Sequence, residues 1–466
     1  MRTRRQLLIL WLAFLITLPA VTTRLYASDE IEYFSWLRSI AFDRDADFQN
    51  EYQYFYDHVI AQTAAAPAFH ETFLERETEI HRRVNYATAG SALLWSPFYA
   101  LGHVWALATG APADGFSRPY IAAVAYGSAF YAFAAILLSA SIARRLLGDG
   151  LAAALAIAVG TPLVFYAYVA PGFGHATSAF SVALFVWTWL RVREHWTPMG
   201  ALALGLSGGL MAFVREQDVF LTIGPALDFL RWWAQSSARP VSRTAAKPWI
   251  TAIAGIVGFL VTFTPLLLSY DAVNGKLGAT ETAARKMTWT APHAFSVLFD
   301  LEHGLFAWTP LALVAIAGLV LLWLRGAAAG GGRERHRDVQ WIAALTLLMI
   351  AAQAYSSGSV ESWTVAGSFG QRRFLAITPL LVIGLATWFE HASSGWPRRI
   401  VITIVALCVW WNLGLMAQFG LHRMDRQKLT LGENARITFI ELPLQAPGLV
   451  WRYLTDRSSF YKLPKQ

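Results

Sequence analysis

Residues 91–110, SALLWSPFYALGHVWALATG, are apolar enough to cross a bilayer, yet Pro97, Gly102 and His103 interrupt the middle of the stretch. Whether it crosses decides the side of the membrane on which every later loop falls, since each span moves the chain to the opposite side. Similar blocks recur along the chain. They are about 15 to 24 residues long, the length a helix needs to traverse about 30 Å of hydrocarbon, and Gly, Pro or Arg clusters separate them. The 466 residues are 56% hydrophobic and 15% charged, against roughly a quarter charged in an ordinary soluble domain. A soluble core cannot absorb that much apolar side chain. The sequence therefore predicts an all-α, polytopic transmembrane protein.

Arg2, Arg4 and Arg5 precede LLILWLAFLITLPA, a pattern shared by a secretory signal peptide and an uncleaved first helix. The many blocks downstream favour the uncleaved helix, with its basic N-terminus in the cytoplasm. The first span, residues 7–23, then delivers Asp29 to the outer face. If residues 91–110 also crossed, Arg144, Arg145, Arg191, Arg193 and the RERHR stretch at 333–337 would fall outside. If they lie on the outer face, all of these are cytoplasmic, together with RWWAQSSARPVSRTAAK (231–247) and GWPRR (395–399), as the excess of Lys and Arg on cytoplasmic loops requires.

The second threading is the expectation. It has about eleven spans, beginning near residues 7, 120, 151, 176, 199, 218, 249, 305, 339, 374 and 399. Residues 1–420 form the transmembrane domain, 25–110 a long first outer loop with juxtamembrane helices, and 421–466 a short outer tail. The net charge of +8 is scattered over short loops instead of gathered on one face, so it reads as a topology signal, with no nucleic acid as partner. Cys408 is the one cysteine, so no internal disulfide forms.

This threading collects the unusual polar groups on the outer face. In SDEIEYF, Asp29 reads as an N-cap with Glu32 three positions on, and Ile31, Phe34, Leu37 and Ile40 as the apolar stripe of an amphipathic helix. The competing reading is chemical: a carboxylate at the membrane boundary is a general base for a substrate arriving from water. DRDADFQNEY spaces Asp43, Asp45 and Asp47 at alternate positions, which suits a hard cation such as Mg²⁺ or Mn²⁺ and equally a solvated acidic loop.

GSFGQRRFL puts Arg372 and Arg373 just ahead of a span on the outer side, where they either anchor at headgroups or bind phosphate through charge-assisted hydrogen bonds. Arg215 in FVREQD offers a further cation, and His175 and His303 sit in Gly-containing turns at outer helix ends. Each histidine is either a structural hydrogen-bonding residue or a substrate contact; no HExxH spacing occurs.

Taken together, these segments resemble the GT-C superfamily of integral-membrane glycosyltransferases, the polyprenyl-phosphate-sugar enzymes that include protein mannosyltransferases and the lipid A aminoarabinose transferase. The resemblance is carried by SDEIEYF after the first helix, by DADFQNEY, SALLWSPFYALG and EHGLFAWTPLAL, and by GSFGQRRFL with its arginine. It implies a catalytic acidic pair at Asp29 and Glu30. It also implies a phosphate-binding arginine at Arg372 or Arg373, the doubled Arg leaving open which of the two matches the family's arginine, and a bacterial inner (cytoplasmic) membrane as the address, with the active site facing the periplasm. Read from the residues themselves, Arg215 joins Arg372 and Arg373 as a candidate for the donor phosphate, and His175, His303, Asp45 and Asp47 are candidate substrate contacts. The expected partners are a polyprenyl-phosphate sugar donor, a glycan, lipid or protein acceptor, and membrane lipids. A metal is assigned no residues.

The expected chemistry is a single inverting displacement. The lipid phosphate is already a competent leaving group, so one carboxylate, with Asp29 as first choice, deprotonates the acceptor while arginines meet the departing charge. The alternative function is a transporter or flippase of a lipid-linked or anionic substrate, which predicts ionisable groups near mid-span and inverted repeats.

Overall fold

The computed structural model describes residues 2–237, 247–327, 332–365 and 367–456; the basic loop at 238–246 and residues 457–466 of the tail lie outside these. Among the described residues there are no strands, only isolated bridges pairing Glu77 with Arg83 and Met287 with Val360. The main helices are α1 (Arg2–Thr17), α2 (Ser28–Arg38), α3 (Gly90–Thr109), α4 (Arg118–Leu147), α5 (Leu151–Gly160), α6 (Leu163–Tyr168) and α7 (His175–Val192). They continue with α8 (Pro198–Val214), α9 (Ile223–Ser237), α10 (Pro248–Asn274), α11 (Pro310–Arg325), α12 (Arg333–Gly358), α13 (Thr378–His391) and α14 (Gly395–Gly420).

Among the described residues, five helices are long and apolar enough to cross a membrane: α4, α10, α12, α14, and α13 together with the 3-10 turn Arg372–Ile377 that leads into it. Leu7–Ala20, α5, α8 and α11 are apolar but shorter. Helix α3 is not among the membrane-length apolar helices, and Pro97 lies inside it. Two expected spans are interrupted. The block from 151 breaks at Thr161 and Pro162 between α5 and α6, and the block from 305 opens with the single turn Leu305–Trp308 before Pro310 restarts the helix. Proline has no N–H to offer the preceding turn, so each break falls where the hydrogen-bond ladder cannot continue.

The outside of the bundle is apolar. Ile253, Ile256, Leu260 and Val261 of α10 and Ile400, Ile404 and Leu407 of α14 are all exposed. So broad an apolar surface in water is an aggregation liability. In hydrocarbon it is the face that lipid wets, with the backbone polar groups satisfied inside the helices.

Helices in such an environment associate by close packing of small residues, and α8 against α10 illustrates this. A Cβ at Gly205 would overlap the Gly255 carbonyl, and one at Gly209 the Phe259 carbonyl. We expect Gly209→Leu to cost about 3 kcal/mol or more, read as a fall in the thermal midpoint of the detergent-solubilised protein; an unchanged midpoint would show that this crossing is not needed.

One end of the bundle is held by a polar latch. Arg193 at the end of α7 donates to Asp228 of α9 (2.7 Å) and Asp338 of α12 (2.7 Å), while the Trp189 and Trp341 indoles donate to Asp228 at 3.0 and 2.8 Å. At the other end, the first loop folds over α3 with an aromatic core of its own. Phe34, Trp36, Phe48, Tyr52, Phe55 and Phe69 are buried there with Trp95 and Tyr99 of α3. The Trp36 indole donates to the Ala87 carbonyl (2.9 Å) and the Tyr52 hydroxyl to that of Val84 (2.9 Å). Thr88 ties the loop to the Val214 carbonyl at the end of α8 (2.6 Å), and Ser91 ties it to Thr177 of α7 (2.8 Å). The start of α2 is thereby pressed against the N-terminal end of α7.

Candidate active site

Helix α2 does not start as its sequence suggests. Ala27, with extended backbone, is the N-cap, which puts Asp29 inside the first turn and Glu30 at its third position. Asp29 is therefore not the cap, and Glu30 does the capping instead. Its Oε2 accepts the Tyr26 and Ala27 amides at 2.8 and 3.1 Å, and its Oε1 accepts the Gly172 amide at 3.2 Å. Gly172 permits this approach, since a Cβ there would stand 2.9 Å from the Glu30 Cβ. Burial lifts the Glu30 carboxyl to about 7 against the opposing pull of those three amides. Glu30 joins α2 to the 169–174 segment and turns its oxygens away from the open side. Of the expected stripe, Ile31, Phe34 and Leu37 are buried, but Ile40 is exposed because the helix widens into a π turn at Ser39–Asp43.

Successive residues are rotated by about 100° around a helix, so Asp29 faces elsewhere. Its Oδ2 lies 2.8 Å from Arg372 Nη1, and its side chain stays 43% exposed against 18% for Arg372. The carboxylate is thus the reachable half of the pair. The Arg372 guanidinium also sits over the Phe173 ring, 5.1 Å from its centre, and Phe173 stacks in parallel on His175. Arg215, just after α8, donates from Nη1 to His175 Nδ1 (2.9 Å). A guanidinium has no acceptor, so His175 is the neutral tautomer with its proton on Nε2. Arg373 is the inner of the two neighbours. It donates to the Ser357 carbonyl (3.3 Å) and the Ser362 hydroxyl (3.3 Å) within electrostatic reach of Arg215, Arg372 and Asp29. Asp29, His175 and the three expected arginines thus converge at one end of the bundle.

His303 lies beneath this group and supports it. Held at φ +65°, it donates from Nε2 to the Ser368 carbonyl (2.8 Å) and stacks on Trp308 (4.6 Å). Its own carbonyl accepts from Gln371, which also donates to the Trp363 carbonyl. It is fully buried, a prop for the turn that carries Arg372 and not a side chain on the open face.

The acidic run is elsewhere. Asp45 accepts from the Ser39 hydroxyl (2.8 Å), Asp47 caps the Gln49 amide (3.3 Å), and Asp43 pairs with Arg38, which also reaches Glu51 at 3.1 Å. Among the described residues no three His, Cys, Asp or Glu side chains converge as metal ligands. These carboxylates, each turned to a local partner, do not fit a Mg²⁺ or Mn²⁺ site.

Glu32 was not expected in the site, although a signal for it exists: it lies three residues after Asp29 and so on the same helix face. It is buried, and its Oε1 accepts the Tyr86 amide at 2.6 Å. Burial, with the Asp29 charge adding to it, lifts its carboxyl to about 8 from an ordinary 4.5, against the Tyr86 amide and Arg372. The unfolded chain therefore releases this proton near pH 4.5 and the folded one near 8. Folding is weakened as pH rises through that window. We expect wild type to lose stability relative to Glu32→Gln between pH 5 and 8, on the order of 2 kcal/mol. Parallel pH profiles of the thermal midpoint for the two proteins would contradict this.

In comparison with known proteins, no family model matches the chain and no curated protein matches it.

Proposed function

We propose that the protein is an integral-membrane glycosyltransferase of the GT-C type. It transfers a sugar from a polyprenyl-phosphate carrier to a glycan, lipid or protein acceptor on the outer face of a bacterial inner membrane. The observation that carries this reading is a partly exposed carboxylate, Asp29, 2.8 Å from the Arg372 guanidinium, with Arg215 and Arg373 behind it. Asp29 pairs with Arg372 and Asp218 lies within electrostatic reach of Arg215, which leaves Arg373 without an ion-pair partner among the described residues, so the group favours an anion at its open side.

Asp29 takes the proton from an acceptor hydroxyl or amine as that group attacks the anomeric carbon. The bond from that carbon to the phosphate oxygen breaks with its electron pair passing to the lipid phosphate, and single displacement inverts the sugar. A phosphodiester with one negative charge becomes a monoester with two, so arginines in fixed positions stabilise the transition state more than the ground state. Asp29 is first in this role because Glu30 is occupied by backbone amides.

The topology that goes with this reading has about eleven spans, a cytoplasmic N-terminus, and α3 lying at the outer interface. Pro97 inside α3 and the first loop's aromatic core packed against it support this. In a Cys408→Ala background, a cysteine at Asp57 is expected to react with an impermeant maleimide in intact cells and one at Glu334 only after permeabilisation; both positions are exposed. The reverse pattern would overturn the topology and the reading with it. Loss of one sugar from the envelope glycans of a deletion strain, together with transfer by the purified protein, tests the activity. Translocation of the lipid-linked sugar across proteoliposomes without transfer would make the protein a flippase.

A further inference from the structure

A second cationic group lies at the opposite end of the helices, and the proposed transfer chemistry does not use it. Helix α7 runs from His175 at the first site to Val192, 18 residues and so about 27 Å, close to the thickness of a bilayer's hydrocarbon core. Where it ends beside the end of α4, Ser141, Arg144, Arg145, Trp187 and Arg191 line a cavity of about 250 Å³.

The charges there do not balance. Arg145 is paired with Glu194, and the Arg191 guanidinium lies over the Trp187 ring, 3.8 Å from its centre. Arg144 is exposed and has neither an ion-pair nor a hydrogen-bond partner among the described side chains. Two guanidinium groups without a carboxylate therefore border a concave space with a tryptophan at its wall. Helix-end arginines gain something from the helix dipole alone, but dipole stabilisation does not require two helix ends to enclose a cavity. A basic pocket between transmembrane helices at the membrane surface matches a phospholipid phosphate, and a tryptophan at that depth packs against the headgroup region.

We propose that this pocket binds the phosphodiester headgroup of an anionic membrane phospholipid, with Arg144 and Arg191 as its two cationic contacts. The lipid's acyl chains would lie along the apolar outer surface of the bundle, as those of bulk lipid do. The site is separate from the Asp29 site and stands or falls independently of the transfer activity.

The test uses the delipidated full-length protein, titrated with phosphatidylglycerol or phosphatidylcholine and read by native mass spectrometry. Wild type is expected to retain phosphatidylglycerol in preference to phosphatidylcholine. Retention should fall roughly fivefold for each guanidinium removed in Arg144→Gln and Arg191→Gln, and stay unchanged in Arg285→Gln, a surface control far along the chain. Arg144→Gln breaks no side-chain hydrogen bond or ion pair among the described residues, so its thermal midpoint should stay at the wild-type value and its loss of lipid would not reflect unfolding. Equal retention by wild type and both variants would overturn the proposal. So would displacement of the lipid by inorganic phosphate at comparable concentration, which would mark a site for free phosphate.

Discussion

Asp29→Asn is expected to lower the proposed sugar transfer by about 10² or more while the protein remains folded and still binds its donor. The substitution keeps the size and hydrogen-bonding capacity of the side chain and removes its charge and basicity. Because Ala27 is the N-cap, no capping interaction is lost. The pair it breaks with Arg372 is partly exposed on the Asp29 side, and such pairs contribute about 1 kcal/mol or less. Freed of Asp29, Arg372 has a full charge available to the donor phosphate, so donor affinity should hold or rise as turnover collapses. Purified variant, a polyprenyl-phosphate sugar and an acceptor suffice for the assay. Near-wild-type turnover would remove Asp29 from the mechanism, and a rise in KM for the donor with unchanged kcat would recast it as a binding residue.

Arg372→Gln is the second large effect, and its neighbour should behave differently. Arg372 meets Asp29 and Phe173 on the open side, whereas Arg373 is committed to the Ser357 carbonyl and the Ser362 hydroxyl. If Arg372 contacts the phosphate, its loss weakens donor binding and lowers kcat further, because the contact strengthens as the second charge develops; about 10² in kcat is expected. Lysine at 372 should restore part of the activity, since it returns the charge without the planar fork. Arg373→Gln should act mainly on donor affinity and on the stability of the turn, with a smaller change in kcat. Measuring kcat and donor KM for the three variants decides between the neighbours: a larger kcat loss at 373 than at 372 would exchange their roles.

Much of the scaffold was legible in the chain. Apolar blocks about as long as a bilayer is thick are a one-dimensional signal, and proline at 162 and 310 marks where the described helices stop and restart. The separation of the first acidic turn from the acidic run was not legible, because Asp43, Asp45 and Asp47 turn to Arg38, the Ser39 hydroxyl and the Gln49 amide, partners two to six residues away that the local turn geometry selects from many equally near. The loop's aromatic core was missed for a related reason. Phe48, Tyr52, Phe55 and Phe69 are spread over short helices without sustained periodicity, so their common burial depends on long-range docking against α3.

What the sequence determined by itself is the class of structure and the composition of the working end: an apolar helical chain, a carboxylate turn after the first apolar block, and arginines just ahead of a late one. Tertiary structure decided which member of each adjacent pair serves which purpose. Asp29 and Glu30 carry the same charge and are neighbours in sequence, but a rotation of about 100° between them sends one to Arg372 and the other to the amides of Tyr26, Ala27 and Gly172. The same holds for Arg372 and Arg373, parted by a 3-10 turn. Charge and side-chain type are local properties that a sequence displays, whereas the direction of a side chain is set by the phase of its helix against segments more than a hundred residues away.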